Sequence, residues 1–259
     1  MVMIDGMLEE LAKLEEVEAI ALGGSRAGNA FDEKSDYDVY LYCTGSIAEE
    51  TRKSILSKYC SYMELGNHFW ELEDNCILNN GIDIDILYRN IDDFGNQVSS
   101  VVEAYQSYNG YTTCMWHNLI NSKILYDKKG RLLALKERFQ IPYPKQLKEN
   151  IINNNLKLLY KALPAYVLQI EKAIKREDIV SMNHRTTAFM ESYFDIIFAL
   201  NEMTHPGEKR LISLCKQNCR ILPNNFEENL SNLFSDLFSK PDKVSRDLHL
   251  IINELKHVL

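Results

Sequence analysis

Nothing in the chain is apolar for long enough to span a bilayer. The most apolar stretch, Tyr193 to Leu200, is short and is interrupted by Asp195, whereas a membrane-crossing helix takes ~20 apolar residues, so no membrane partner is expected. Glycine and proline are sparse, 11 and 6 of 259 residues, which excludes a collagen-like or low-complexity chain. With 46% hydrophobic residues there is enough apolar surface to offset the ordering of a folded chain. The six cysteines (Cys43, Cys60, Cys76, Cys114, Cys215, Cys219) are scattered, and the one close pair, Cys215 and Cys219, has no second pair near it in sequence. That is not a zinc signature, and the thiols are expected to be reduced and mostly buried. The opening residues Met1-Val2-Met3-Ile4-Asp5-Gly6 lead directly into Glu9, Glu10, Glu15 and Glu16, without the basic and apolar regions of a secretory leader, so a cytoplasmic location is expected.

Positive charge is what the first half lacks. Residues 1–140 hold 13 Lys and Arg against 23 Asp and Glu, net −10, while residues 141–259 hold 16 against 14, net +2, within a total of −8. A negative field repels polyanions over a Debye length, so no nucleic acid partner is expected. Metal ions and cationic small molecules suit it better, although surplus carboxylates also serve solubility alone.

Met7, Leu8, Leu11 and Leu14 recur at helical spacing within residues 5–16, and Val17 to Leu22 form a short apolar run that stops at Gly23-Gly24. The pattern predicts helix, strand, turn. Asp36 to Tyr42 alternates polar and apolar residues, which predicts a strand with one functionalised face. Ile47 to Tyr62 predicts a helix, and Asn80-Gly81 inside Cys76 to Tyr88 predicts a hairpin. Beyond Ile91 helical periodicity dominates, apart from the apolar piece Ile124-Leu125-Tyr126 closed by Asp127-Lys128-Lys129-Gly130. Two prolines in Ile141-Pro142-Tyr143-Pro144 bias the backbone to extended geometry and mark a boundary. Helices are predicted beyond it over 145–163, 164–175, 179–201, 208–219, 226–238 and 242–259. The expected class is α+β: an N-terminal mixed sheet flanked by helices over residues 1–140, followed by a C-terminal helical bundle over 141–259.

Chemistry concentrates in Leu22-Gly23-Gly24-Ser25-Arg26-Ala27-Gly28 and Ser35-Asp36-Tyr37-Asp38. Two glycines at a strand end let the backbone approach a phosphate closely, and Ser25 can open a helix whose free N–H groups attract an anion. Two better-known glycine patterns do not fit: Ser25 breaks the dinucleotide fingerprint, and Asn29 and Ala30 stand where a Walker loop needs Lys and Ser or Thr. Asp36 and Asp38, two apart on a strand, point from one face and can converge on a divalent cation. Asp83 and Asp85 repeat the spacing in the second hairpin strand, and one of them would complete a three-carboxylate site that takes Mg²⁺ together with substrate phosphates.

These residues resemble the polymerase-β-like nucleotidyltransferase superfamily, through Leu22-Gly23-Gly24-Ser25, Asp36-Tyr37-Asp38 and Asp85. Within it the chain is similar to the bacterial aminoglycoside and lincosamide nucleotidyltransferases and their uncharacterised relatives, with Asp85-Ile86-Leu87-Tyr88-Arg89 and Phe198 to Asn201 as further matching segments. The resemblance implies a nucleotidyltransferase-type sheet domain followed by helices. It implies Mg²⁺ on Asp36 and Asp38, with Asp85 as third ligand or as the base for an acceptor hydroxyl. Gly24 and Ser25 would hold the phosphates of a nucleoside triphosphate, ATP first among donors, and AMP would pass to a hydroxyl of a small molecule of the aminoglycoside or lincosamide type. Other members place AMP on a partner protein, as in antitoxins, and a non-catalytic nucleotide-binding regulator is the third alternative. The state is a monomer or a homodimer.

Arg26 reaches the triphosphate or pairs with a carboxylate. A triphosphate needs positive charge from the basic half, and Lys209, beside Pro206-Gly207, is the candidate. His184 reads as a helix-surface or core histidine. Glu103, Tyr105, Tyr108, Tyr111 and Trp116 could line an acceptor wall, but aromatics at helical spacing read first as core.

Overall fold

The computed structural model describes residues 4–27, 35–69 and 71–259. Met1-Val2-Met3 and the Gly28, Asn29 and Ala30 weighed against the Walker loop lie outside the described residues. The elements are α1 (Asp5–Leu11), β1 (Val17–Leu22), α2 (Gly24–Ala27), β2 (Tyr37–Cys43), α3 (Glu49–Leu56), β3 (Cys60–Asn67), β4 (Glu73–Leu78), β5 (Asp83–Asn90), α4 (Ile91–Val102), α5 (Cys114–Asn121), β6 (Lys123–Asp127), α6 (Arg131–Phe139), α7 (Lys145–Leu156), α8 (Tyr166–Lys175), α9 (Ile179–Leu200), α10 (Leu211–Asn218), α11 (Phe226–Ser239) and α12 (Pro241–His257). The class is α+β, with a mixed six-stranded sheet among the described residues.

Packing divides the chain into two units. One holds the residues up to Ser99 together with Asn118–Ile141, and the other holds Ser100–His117 and Pro142–Leu259. Residues 100–117 therefore pack with the helices, although the sequence groups them with the first 140 residues. Asp195 on α9 holds that segment: it accepts from Thr112 N at 3.1 Å, Thr112 Oγ1 at 2.7 Å and Asn155 Nδ2 at 3.1 Å. The aromatics of this segment are not a helical core stripe. Tyr105 and Tyr111 take left-handed backbone with φ 58° and 53°, Tyr105 and Tyr108 are exposed, and Trp116, within α5, is buried.

In the first unit the strand order is β3-β4-β5-β2-β1-β6. β2 and β5 run parallel, and the other neighbours run antiparallel. The Asn80-Gly81 hairpin joins β4 to β5: Gly81 has φ +83°, and Leu78 N donates to Ile82 O at 2.9 Å. The predicted helix over 47–62 ends at Leu56, and residues 60–67 form β3 instead. This edge strand has no two-fold alternation of burial, so its sequence carries no strand period to read.

One face of the sheet is dry. Ile20, Leu22, Val39, Leu41, Ile84 and Ile86 pack there with Met7, Leu8 and Leu11 of α1 and Ile55 and Leu56 of α3. The opposite face carries Asp38, Tyr40 and Tyr42 of β2, as the pleat requires of residues two apart. Tyr42 is fully buried, its ring edge-on to Phe94 of α4 at 5.2 Å.

The second unit is helical. From Phe189 to Leu200 nearly every residue of α9 is buried, which marks a central helix hydrophobic all round. Its core includes Phe189, Tyr193, Ile197, Leu230, Leu233, Leu248 and Ile251. Asp178 caps α9 by accepting from Ser181 N at 2.9 Å, and Pro241 opens α12 at a position where its missing N–H costs nothing.

Candidate active site

The end of β1 turns onto the polar face of β2. Gly23 N donates to Asp38 O at 2.7 Å, which sets the glycine pair directly over that strand. A Cβ on Gly23 would meet the Tyr40 ring at 2.5 Å, and one on Gly24 would stand 1.7 Å from Asp38 Oδ2. Gly24 also has φ +57°, left-handed backbone. Gly23 thus faces a buried ring that a side chain would strike, and Gly24 faces a movable carboxylate but takes left-handed backbone that favours glycine.

Asp38 and Asp85 are register partners on the parallel pair β2 and β5. Partners of this kind share a face and lie about 5 Å apart across the sheet. The row continues to Asn75 on β4 and Glu64 on β3, so four polar side chains stand abreast: Glu64, Asn75, Asp85, Asp38. Asn75 Nδ2 donates to Asp85 Oδ1 at 2.7 Å, while Asn75 Oδ1 accepts from Asn67 Nδ2 at 2.7 Å. This relay fixes the amide orientation and ties down one oxygen of Asp85. Glu73, two residues before Asn75 on the same face, is nearly buried. Burial, and then the charge of Asp85, hold its carboxyl above the usual range.

Asp36 lies just before β2 and is half-buried. Arg26 braces it: Nε donates to Ser35 O at 2.7 Å and Asp36 O at 3.1 Å, and the guanidinium sits 3.8 Å over the Tyr37 ring. The backbone and a ring thus engage Arg26. Ser25 and Gly24 are exposed at the start of the short α2. Of the hairpin aspartates, Asp83 is exposed and lies opposite Ile77, whereas Asp85 adjoins Asp38. Lys209 belongs to the second unit, exposed before α10. His184 is on the surface of α9.

The sheet thus gathers Gly24, Asp36, Asp38 and Asp85 in one unit. Among the described residues no group of three or more His, Cys, Asp or Glu can hold a metal ion unaided. The donors on this face are carboxylate oxygens, which suit a hard cation that completes its shell with water and substrate phosphate. Asn75 and Glu73 were missed in the sequence because no motif marks them; their roles come from the register of β4 on β5.

A family described as a domain of unknown function (DUF4037) matches residues 112–211. No curated protein matches the chain. Among solved structures the chain is similar to a nucleotidyltransferase-like protein from Exiguobacterium sibiricum 255-15, at 10% identity and a TM-score of 0.43, over 98% of this chain and 72% of that one. It is also similar to an aminoglycoside 6-adenyltransferase from Bacillus subtilis, at 12% identity and a TM-score of 0.28, over 97% of this chain and 89% of that one. At such identities the chemistry has to be read from the residues.

Proposed function

We propose that the chain is a Mg²⁺-dependent nucleotidyltransferase that moves a nucleoside monophosphate, AMP from ATP first, to a hydroxyl of a small molecule and releases pyrophosphate. The observation that carries this reading is the Gly23-Gly24 turn seated on Asp38, with Asp85 abreast of it on the neighbouring parallel strand. A backbone free of side chains beside paired carboxylates fits a phosphate chain and its cation.

Asp36 and Asp38 would hold the cation. When bound, Mg²⁺ would supply positive charge to offset the charge that develops on the leaving pyrophosphate. Gly24 and Ser25 would contact the phosphates. Arg26, engaged with the backbone of Ser35 and Asp36, positions Asp36. Asp85, tethered by Asn75 at Oδ1, keeps Oδ2 for the acceptor proton. The acceptor oxygen bonds to the α-phosphorus as the bond to pyrophosphate breaks, and Asp85 takes the hydroxyl proton. Aminoglycosides and lincosamides lead the acceptor screen because of the motif resemblance to the enzymes that modify them, together with the acidic first half.

The test is the thermal midpoint with each of the four nucleoside triphosphates, with and without Mg²⁺, followed by pyrophosphate release across an acceptor panel. A ligand that binds only the folded state raises the midpoint. A Mg²⁺-dependent rise, lost in Asp38→Asn, supports the reading. No rise with any triphosphate would overturn it, and labelled AMP on protein instead of small molecules would shift it to a protein-modifying enzyme.

A further inference from the structure

The first unit contains a cavity of about 230 Å³ at the far end of β2 and β5 from Asp38 and Asp85. Cys43 and Asn90 in its wall are register partners five places beyond those aspartates, about 16 Å along the sheet. Tyr88 and Arg89 line it too, the part of the Asp85-to-Arg89 segment that the transfer chemistry leaves unused, together with Arg52 of α3. Gly45, Ser46 and Ile47 of the β2–α3 loop and Leu72 complete the wall. None of these residues is Asp or Glu, although the first 140 residues carry a net charge of −10.

Arg52 and Arg89 are both buried, and each donates to a carboxylate, but in different ways. Arg89 grips Glu71 with the fork of Nε and Nη2, each at 2.7 Å. Arg52 reaches Asp74 through Nη1, at 2.6 Å. Asp74 also accepts from Gly66 N and Tyr88 OH, so its oxygens are engaged without Arg52 Nε. Arg52 Nη2 lies on the Gly66 side, 3.9 Å from where a Cβ on that glycine would stand. Neither Asp74 nor Gly66 lines the cavity, so the edge of Arg52 next to it is that of Nε, which has no partner among the described residues. A buried guanidinium N–H without an acceptor costs free energy. At the rim, Ser46 is exposed, and Asn90 Oδ1 accepts from Asp92 N and Asp93 N at 2.9 and 3.1 Å, which leaves Asn90 Nδ2 as a donor.

An N–H donor calls for an acceptor, and the Nε edge of a guanidinium fits a carboxylate, as Arg89 shows with Glu71. Ile47, Leu72 and Tyr88 give the same space an apolar side, which leaves the further oxygens of a phosphate without donors. The volume admits only a small molecule, since drug-sized ligands take ~300 Å³ or more. We propose that this cavity binds a small monocarboxylate, its carboxylate at Arg52 Nε and the Ser46 hydroxyl and its hydrocarbon end against Ile47 and Leu72. The site stands whether or not the glycine turn and the aspartates transfer nucleotide.

The test titrates the full chain at constant ionic strength with butyrate, uncharged butyramide and inorganic phosphate, following the amide resonances of Gly45, Ile47 and Asn90. Saturable shifts at these residues are expected for butyrate, with butyramide at least about tenfold weaker and phosphate weaker than butyrate. Arg52→Lys keeps a positive partner for Asp74 but removes the fork, and it should weaken butyrate at least about tenfold. Should that variant misfold by circular dichroism, Ser46→Phe, which puts a ring across the exposed rim, should abolish the shifts. Equal binding of acid and amide, phosphate binding as tightly as butyrate, undiminished binding to folded Arg52→Lys, unaltered shifts in Ser46→Phe, or shifts at Gly24 in place of these residues would overturn the proposal.

Discussion

Two carboxylates on neighbouring strands of one sheet are treated in opposite ways. Asp74 on β4 points to the dry face and is fully buried. It accepts from Arg52 Nη1 at 2.6 Å, Gly66 N at 2.8 Å and Tyr88 OH at 2.8 Å. Asp85 on β5 points to the other face, is half-buried, accepts from the neutral Asn75, and has Asp38 beside it and the raised carboxyl of Glu73 close by. The fold matches the charge of the first and leaves like charges side by side at the second. Like charges at this spacing cost energy unless a cation or a proton lies between them. Asp74 therefore serves the fold, whereas Asp85 and Asp38 stand abreast on the opposite face, where the proposed transfer chemistry is assigned.

The largest effects should separate these two sites completely. Asp38→Asn is expected to lower nucleotidyl transfer by about a thousandfold, with the thermal midpoint little changed. Asp74→Asn should leave the Arg52 charge buried without its partner and cost ~3–5 kcal/mol of stability, read from urea unfolding, while the folded fraction keeps its turnover. If Asp38→Asn unfolded the protein as Asp74→Asn does, the division between the faces would fail.

A third buried carboxylate tests what neutral donors achieve without a cation. Among the described residues Asp195 has Thr112 and Asn155 as donors, and burial raises its pKa from 3.8 to about 6 despite them. A carboxyl with a raised folded-state pKa adds stability that is fully present below about pH 4 and is lost as pH rises through about 6. Between those limits the stability of wild type relative to Asp195→Asn should fall by up to ~3 kcal/mol. Urea midpoints of both proteins at pH 4 and pH 7 measure it, and a difference independent of pH would show that the three donors keep Asp195 ionised throughout.

The sequence made the glycine turn, the aspartate spacing and the hairpin of the first unit readable because their signals are local. Gly23-Gly24-Ser25, the Asp36 and Asp38 spacing and the Asn80-Gly81 hairpin each lie within a few residues. What stayed hidden depends on register across strands. Arg52 and Asp74 are 22 residues apart, and Asn75 joins Asp85 only because β4 pairs with β5. The tyrosines of residues 105–111 mimic a helical period, but Asp195, 83 residues beyond Thr112, bonds that segment into another conformation. Arg26, whose charge pointed to phosphate or carboxylate, also meets two carbonyls and a ring, partners that no residue pattern encodes.

The smallest effects compare two left-handed glycines, one at the candidate site and one at a bare turn. Gly81, φ +83°, has nothing within 4 Å of an added Cβ, so Gly81→Ala should cost only the conformational penalty of a left-handed alanine, ~1 kcal/mol. Gly24→Ala incurs the same penalty and also drives a methyl into Asp38 Oδ2. Since Gly24 is exposed and the carboxylate can swing away, the stability cost should stay near that of Gly81→Ala. The displaced Asp38 would no longer meet the cation, so transfer should fall far more in Gly24→Ala than in Gly81→Ala. Equal turnover in the two variants would mean that the turn over Asp38 is packing alone.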